Sequence, residues 1–239
     1  MLTINTKETD IDCQSPNEKR NIGRKFRVVE CLFDNTGQNK SALYDASSQL
    51  ANKVNPGQAN KSSNIRDSNT LIRDAGGGIL AESGCLTFIN KTFGNIAHPT
   101  KFTSSIGQID IELNKEHTIE VRSSFPRNGV KFAICNDKYN FKNIGRYSNL
   151  YKPDEKAKDF FAMILFETRK DVLFESDTIK FYLIGGSTKE MLKDDKITYT
   201  GDLIAEGDST QTKTKYRIIK LKDALDIDGF KNYMHIIGY

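Results

Sequence analysis

Gly107–Ser124, GQIDIELNKEHTIEVRSS, reads as two strands joined by a tight polar turn around Asn114–Lys115. Side chains alternate faces along a strand, so residues two apart share a face. Asp110 and Glu112 therefore share a face of the first strand. Glu120 and Arg122 share a face of the second, with Ile119 and Val121 opposite. Pairing of the two strands brings two carboxylates and a guanidinium to one spot. Hard oxygen donors beside a fixed positive charge suit a divalent cation next to a phosphate group.

Working outward, Asp74–Phe88 (DAGGGILAESGCLTF) is expected to be helical and carries Glu82. Each glycine of Gly76–Gly78 costs a helix about 1 kcal/mol. The three mark either the helix start or a place where a phosphate or another backbone comes close. Further upstream, Ser41–Val54 is loosely helical and 55–69 is a loop rich in Asn, Ser and Gly. Val28–Phe33 suits a strand or a helix. Residues 1–20 are polar and aperiodic, so they are expected to form a flexible arm ahead of a single domain over 21–239. Downstream, Lys131–Asn136 alternates like a third strand. Phe160–Phe166 (FFAMILF) and Thr178–Gly185 (TIKFYLIG) read as buried strands. Ser187–Asp194 offers a capping box for a short helix. Thr198–Lys215 reads as an exposed hairpin, Tyr216–Leu221 as a strand and Lys222–Phe230 as a short helix or turn. The expected class is mixed α/β, a central mixed sheet flanked by helices.

Asp110, nine further residues, then Glu120-Val121-Arg122 resembles the PD-(D/E)xK nuclease superfamily. There an Asp at a strand end is followed by (D/E)-x-K on the next strand. Gly107-Gln108-Ile109-Asp110 is similar to the G-x-x-D entry to that motif. Many members also carry an acidic residue on a preceding helix, the place Glu82 would fill. The resemblance spans about 65–185. It implies a restriction-endonuclease-like core and a Mg²⁺ ion held by Asp110 and Glu120, with Glu82 assisting. It further implies phosphodiester hydrolysis in double-stranded DNA, type II restriction as the biology, and a homodimer that cuts both strands.

The chain departs from the pattern at Arg122, where the family has lysine. Arginine stays protonated and cannot act as a base, but its fork can hold a scissile phosphate and offset its charge. Lys131, on the next expected strand, is a second cation that could take the lysine's part. A non-catalytic DNA-binding module on the same fold is the alternative, as is a structural or interaction protein whose hairpin is merely exposed.

Other basic residues are candidates for DNA contact. Lys61 and Arg66 lie in the polar loop, and Arg127 lies in the turn 125–129. From Lys131 to Lys152 cations and rings interleave, with Lys131, Lys138, Lys142 and Arg146 among Phe132, Tyr139 and Tyr147. Cations on phosphates and rings on sugars or bases suit nucleic acid. His98 and His117 flank the motif as possible bases.

The remaining composition mainly excludes. With 37% hydrophobic and 28% charged residues the chain suits a soluble globular domain. No apolar run approaches the about 18 residues of a membrane span. The N-terminus lacks the apolar centre of a secretory signal. The four cysteines show no C-x-x-C spacing and the three histidines do not cluster with them, which argues against zinc. A reducing, cytoplasmic setting fits. A net charge of +4 permits nucleic-acid binding without requiring it. No P-loop, G-x-S-x-G or H-E-x-x-H motif is present.

Overall fold

The structure, a computed structural model, describes residues 2–15, 20–54, 65–101, 109–125, 142–144, 158–203, 214–220 and 223–239. The elements run β1 (Asn5–Ser15), β2 (Arg20–Asp34), α1 (Gly37–Ala51), α2 (Ser68–Phe93), β3 (Ala97–Pro99), β4 (Ile111–Leu113), β5 (Thr118–Ser124), β6 (Lys142–Ile144), β7 (Phe160–Phe166), β8 (Thr178–Thr188), β9 (Thr198–Leu203), β10 (Thr214–Lys220) and α3 (Ile227–Ile236). Seven strands form one sheet in the order β1-β2-β8-β7-β5-β4-β3, and β6-β10-β9 form a second, smaller one. Within the large sheet every neighbouring pair is antiparallel except β5 and β7. The class is thus mixed α/β, with a central and mostly antiparallel sheet.

The sheet sorts its residues by face. Val29, Cys31 and Phe33 of β2, Phe181 and Leu183 of β8, Phe160, Ala162, Ile164 and Phe166 of β7, and Ile119 of β5 all enter the main core with the three helices. Met163, Leu165 and Tyr182 point the other way. Phe161 also does, and packs with Ile219 of β10 where the small sheet meets the large one. β7 is apolar at every position because it is central and covered on both faces. Burying a side chain the size of these phenylalanines contributes about 2–3 kcal/mol each.

The middle of α2 lies flat against this core. Its first turn is capped by Asp67, whose carboxylate accepts from the Thr70 N–H at 2.9 Å. Gly76–Gly78 fall inside the helix, not at its start. A Cβ at Gly77 would sit 2.7 Å from the Phe125 ring, and one at Gly84 would sit 2.6 Å from the Phe181 ring. The close approach that Gly77 and Gly84 allow is therefore to aromatic rings, whereas a Cβ at Gly78 would meet nothing.

Several expectations give way to the structure. Residues 1–20 are not simply an arm: Asn5–Ser15 is β1, paired along β2 from Asn5–Leu32 to Ser15–Arg20. Its polar sequence hides the strand because its edge position leaves little to bury, and charge pairing replaces apolar alternation. Arg27 Nε lies 2.7 Å from Asp10 Oδ1, and Lys231 Nζ donates to Glu8 Oε1 at 2.6 Å. Ser187 belongs to β8, and only a single 3-10 turn, Met191–Lys193, follows. Of the short helix or turn expected at Lys222–Phe230, Lys222 lies outside the described residues and α3 starts at Ile227 and runs on to Ile236, capped by Asp226 accepting from the Gly229 N–H at 3.0 Å. Val28–Phe33 is strand. The strand expected at Lys131–Asn136 lies outside the described residues. Among those residues no helix is long and apolar enough to cross a membrane.

Candidate functional site

β4 and β5 form the expected hairpin around the turn 114–117, with Ile111 opposite Ile119 and Glu112 opposite Thr118. The turn is held from outside. The Lys115 N–H donates to Tyr239 Oη at 2.7 Å, and the Lys115 ammonium stands 5.1 Å from the centre of the Tyr239 ring. The ladder ends at the Ile111–Ile119 pair. Two residues beyond it on β5, the Val121 N–H donates to Asp110 Oδ2 at 2.7 Å. A carboxylate thus takes a place that a strand carbonyl would fill, and Asp110 is locked beside Glu120.

Glu120 sits on the face away from the helices and is nearly buried, at 9% exposure. Two cations grip it. Arg122 Nη2 is 2.8 Å from Oε1, as the shared face predicts. Lys158 Nζ is 3.3 Å from Oε2. Lys158 itself is 4% exposed. It is positioned by its neighbour: Asp159 accepts from the Thr118 N–H at 2.9 Å and from Thr118 Oγ1 at 3.0 Å, and its own N–H donates to the Thr118 carbonyl at 3.1 Å. These bonds pin the entry of β7 beside the entry of β5. The parallel register, Ile119 on Phe160, follows from them.

Glu82 approaches from α2. Burial first, and the Asp110 charge second, push its carboxyl up to about 7. Asp110 is pushed up to about 6, by burial and then by the Glu120 charge; the Val121 N–H, Arg122 and Lys158 oppose this. Asp110 thus feels Glu82 on one side and Glu120 on the other, the first from α2 and the second from β5. The buried Cys85 thiol feels it too, its pKa raised by burial and then by Cys31, Glu82 and Asp110.

Of the residues singled out in the sequence, Asp110, Glu120, Arg122 and Glu82 are brought together. Lys61, Arg127, Lys131, Lys138 and Arg146 lie outside the described residues. Lys142 lies on β6, opposite Lys220 of β10. Arg66 is committed to Asp74, with Nη1 3.1 Å from Oδ2. His98 pairs with Asn114 Oδ1 at 2.7 Å, and His117 lies edge-on to the Tyr239 ring. Lys158 is the residue the sequence did not disclose. Its only signal is a lysine one residue short of the apolar strand FFAMILF, and its partner lies 38 positions away across a parallel pair.

Carboxylate oxygens are hard donors of the kind divalent cations take. Carboxylates crowded in a dehydrated spot resist ionisation, and a dication would relieve them. Among the described residues no three His, Cys, Asp or Glu side chains form a ready-made metal cluster. Mg²⁺ commonly takes one or two carboxylates and completes its shell with water and substrate phosphate. Comparison of the chain with family models, curated proteins and solved structures finds no match to any of the three.

Proposed function

We propose that the chain is a Mg²⁺-dependent DNA endonuclease with a restriction-endonuclease-like core, and that its biology is type II restriction. The observation that carries the proposal is Asp110, held by the Val121 N–H, standing beside the buried Glu120 with Arg122 and Lys158 on its oxygens, while Glu82 of α2 acts on Asp110. Carboxylates with perturbed pKa values beside a specific charge partner are the kind of group from which functional sites are built. Asp110 and Glu120 would hold Mg²⁺, with Glu82 assisting. Bound there, the ion would polarise a phosphoryl oxygen and lower the pKa of a bound water.

The chain's own residues supply the rest. The Val121 N–H fixes one oxygen of Asp110 and so orients the carboxylate. Arg122, its side chain 39% exposed, is the cation able to reach a phosphodiester from the surface and fork onto it. Lys158 sets a second positive charge beneath Glu120. Arg122 cannot serve as a base, so its part is to offset charge as it develops. Double-stranded DNA is the substrate in this reading, and a homodimer would present one site to each strand.

Both oxygens of Glu120 facing cations favours a second reading, a non-catalytic DNA-binding module on the same fold. One experiment separates the two. Purified protein is incubated with plasmid and phage DNA, with Mg²⁺ or with EDTA. The nuclease reading expects discrete fragments only with Mg²⁺. Salt-sensitive retention of DNA without cleavage in any divalent ion would transfer the assignment to the binding module.

A further inference from the structure

α3 ends in a turn closed by glycine. The Tyr239 N–H donates to the Met234 carbonyl at 2.9 Å and the Gly238 N–H to the His235 carbonyl at 3.0 Å, with Gly238 at φ +91°. Glycine takes that backbone without strain. The turn reverses the chain and lays Tyr239 on the turn of the β4–β5 hairpin. There Tyr239 Oη accepts from the Lys115 N–H at 2.7 Å, and the ring meets the Lys115 ammonium and, edge-on, His117. The same ammonium donates to the Gly238 carbonyl, and His235 Nδ1 lies 2.9 Å from the Tyr239 carbonyl oxygen. The hairpin has little of its own to hold it. Its ladder is two pairs long, Ile111–Ile119 and Glu112–Thr118. Glu116 in its turn stands at φ +64°, a backbone that residues other than glycine rarely take. A short hairpin by itself is marginal in water. β4 is fixed from the β3 side, where the Asn114 N–H donates to the Ile96 carbonyl at 3.0 Å and the Thr100 N–H to the Asp110 carbonyl at 3.3 Å. β5 is fixed by β7. Tyr239 holds the turn that joins the two.

We propose that Tyr239 is a positioning residue for Asp110. Seated on the turn 114–117, it keeps β4 in register with β5, and so keeps the Asp110 carboxylate on the Val121 amide just beyond the ladder. The end of α3 is thus a latch on the hairpin that carries Asp110 and Glu120. Its contacts are the part of the arrangement most open to water: Lys115, His235 and Gly238 are exposed, whereas Ile111 and Ile119 are buried. Parts held by exposed contacts open at lower free energy than the core. The latch therefore lets go before the sheet does, and Asp110 loses its fixed orientation while the fold stands. This holds whether or not the chain cleaves DNA.

The test reads the Val121 amide proton by NMR, without DNA or added metal, in wild type, Tyr239→Ala, Tyr239→Phe and Gly238→Ala. An amide proton bonded to a carboxylate is deshielded, and Asp110→Ala, which removes the acceptor, marks where Val121 resonates without it. In Tyr239→Ala the Val121 resonance is expected to move upfield, about halfway or more to that mark. Tyr239→Phe keeps the ring and loses only the hydroxyl that Lys115 bonds, so it is expected to move the resonance less, in the same direction. Gly238→Ala strains the turn that seats the tyrosine and puts a Cβ 2.8 Å from Lys115 Nζ; it is expected to act like Tyr239→Ala. The Ile164 amide of β7 is expected to stay in place in all three. A Val121 resonance unmoved in Tyr239→Ala overturns the proposal even where Tm falls, because a residue that only adds stability leaves the folded resonance alone. Should Tyr239→Ala not fold, Gly238→Ala decides by the same reading.

Discussion

The β1–β2 hairpin at one edge of the sheet and the β4–β5 hairpin near the other both set acids against bases, and to opposite effect. At β1–β2 the charges form an open network: Arg27 lies against Asp10, Glu8 and Asp228, and Lys231 of α3 against Glu8 and Asp228, all partly open to water. Such pairs contribute at most about 1 kcal/mol and tie α3 to the strands. At β4–β5 Glu120 is buried against two cations, and Asp110 and the α2 residue Glu82 are half-buried beside it. Asp110 and Glu82 are pushed up to about 6 and about 7. Burial of Asp110 and Glu82 opposes their ionisation in the folded state. On the proposed reading, the contrast separates charge that holds a fold together from charge that a fold tolerates for a task.

The sharpest way to break the contrast is at Glu120. Glu120→Gln keeps the shape but removes the charge that Arg122 and Lys158 share. It is expected to lower Mg²⁺-dependent cleavage by about a thousandfold or more, a loss of roughly 4 kcal/mol in the barrier, while circular dichroism stays native. Cleavage within tenfold of wild type would remove Glu120 from the site.

The next effect concerns pH. The folded pKa of Glu82 lies above its ordinary value of 4.5, so the folded state holds its proton longer than the unfolded chain. Stability is therefore lost as pH rises from about 4.5 through about 7. Glu82→Gln removes that loss. In metal-free protein it is expected to raise stability at pH 8 by up to about 3 kcal/mol and to change little at pH 4. Urea unfolding at the two pH values checks this; an equal effect at both would show that Glu82 is not strained.

Smaller still is the seating of α2, which delivers Glu82. Gly84→Ala would place a methyl 2.6 Å from the fully buried Phe181 ring. The expected cost is about 1–3 kcal/mol, read as a lower Tm, and a neutral outcome would mean that the helix stands further from the sheet. Smallest is Asp10→Asn at the β1–β2 hairpin. It should cost less than about 1 kcal/mol, and less again in high salt.

How much of this was legible beforehand follows from which residues are neighbours in sequence. The hairpin, the shared face of Glu120 and Arg122, and the helix bearing Glu82 were readable because alternation and helical pattern are local. β7 and β8 were readable from continuous apolar runs. β1 was not, since a polar edge strand with ion-paired partners carries no apolar period. Lys158 was not, since β5 and β7 are parallel neighbours separated by some 40 residues, and only the fold places the lysine on Glu120. Lys131 was the cation the sequence suggested for that part; it lies outside the described residues. The glycines of α2 were seen, but that Gly77 and Gly84 admit aromatic rings depends on Phe125 and Phe181.

The most direct test pairs one carboxylate from each hairpin. Wild type, Asp110→Asn and Asp10→Asn are incubated with phage and plasmid DNA in Mg²⁺, with EDTA controls. Cleavage by wild type and Asp10→Asn but not by a folded Asp110→Asn is the predicted result. Cleavage that survives Asp110→Asn, or no cleavage by wild type at all, would contradict the account.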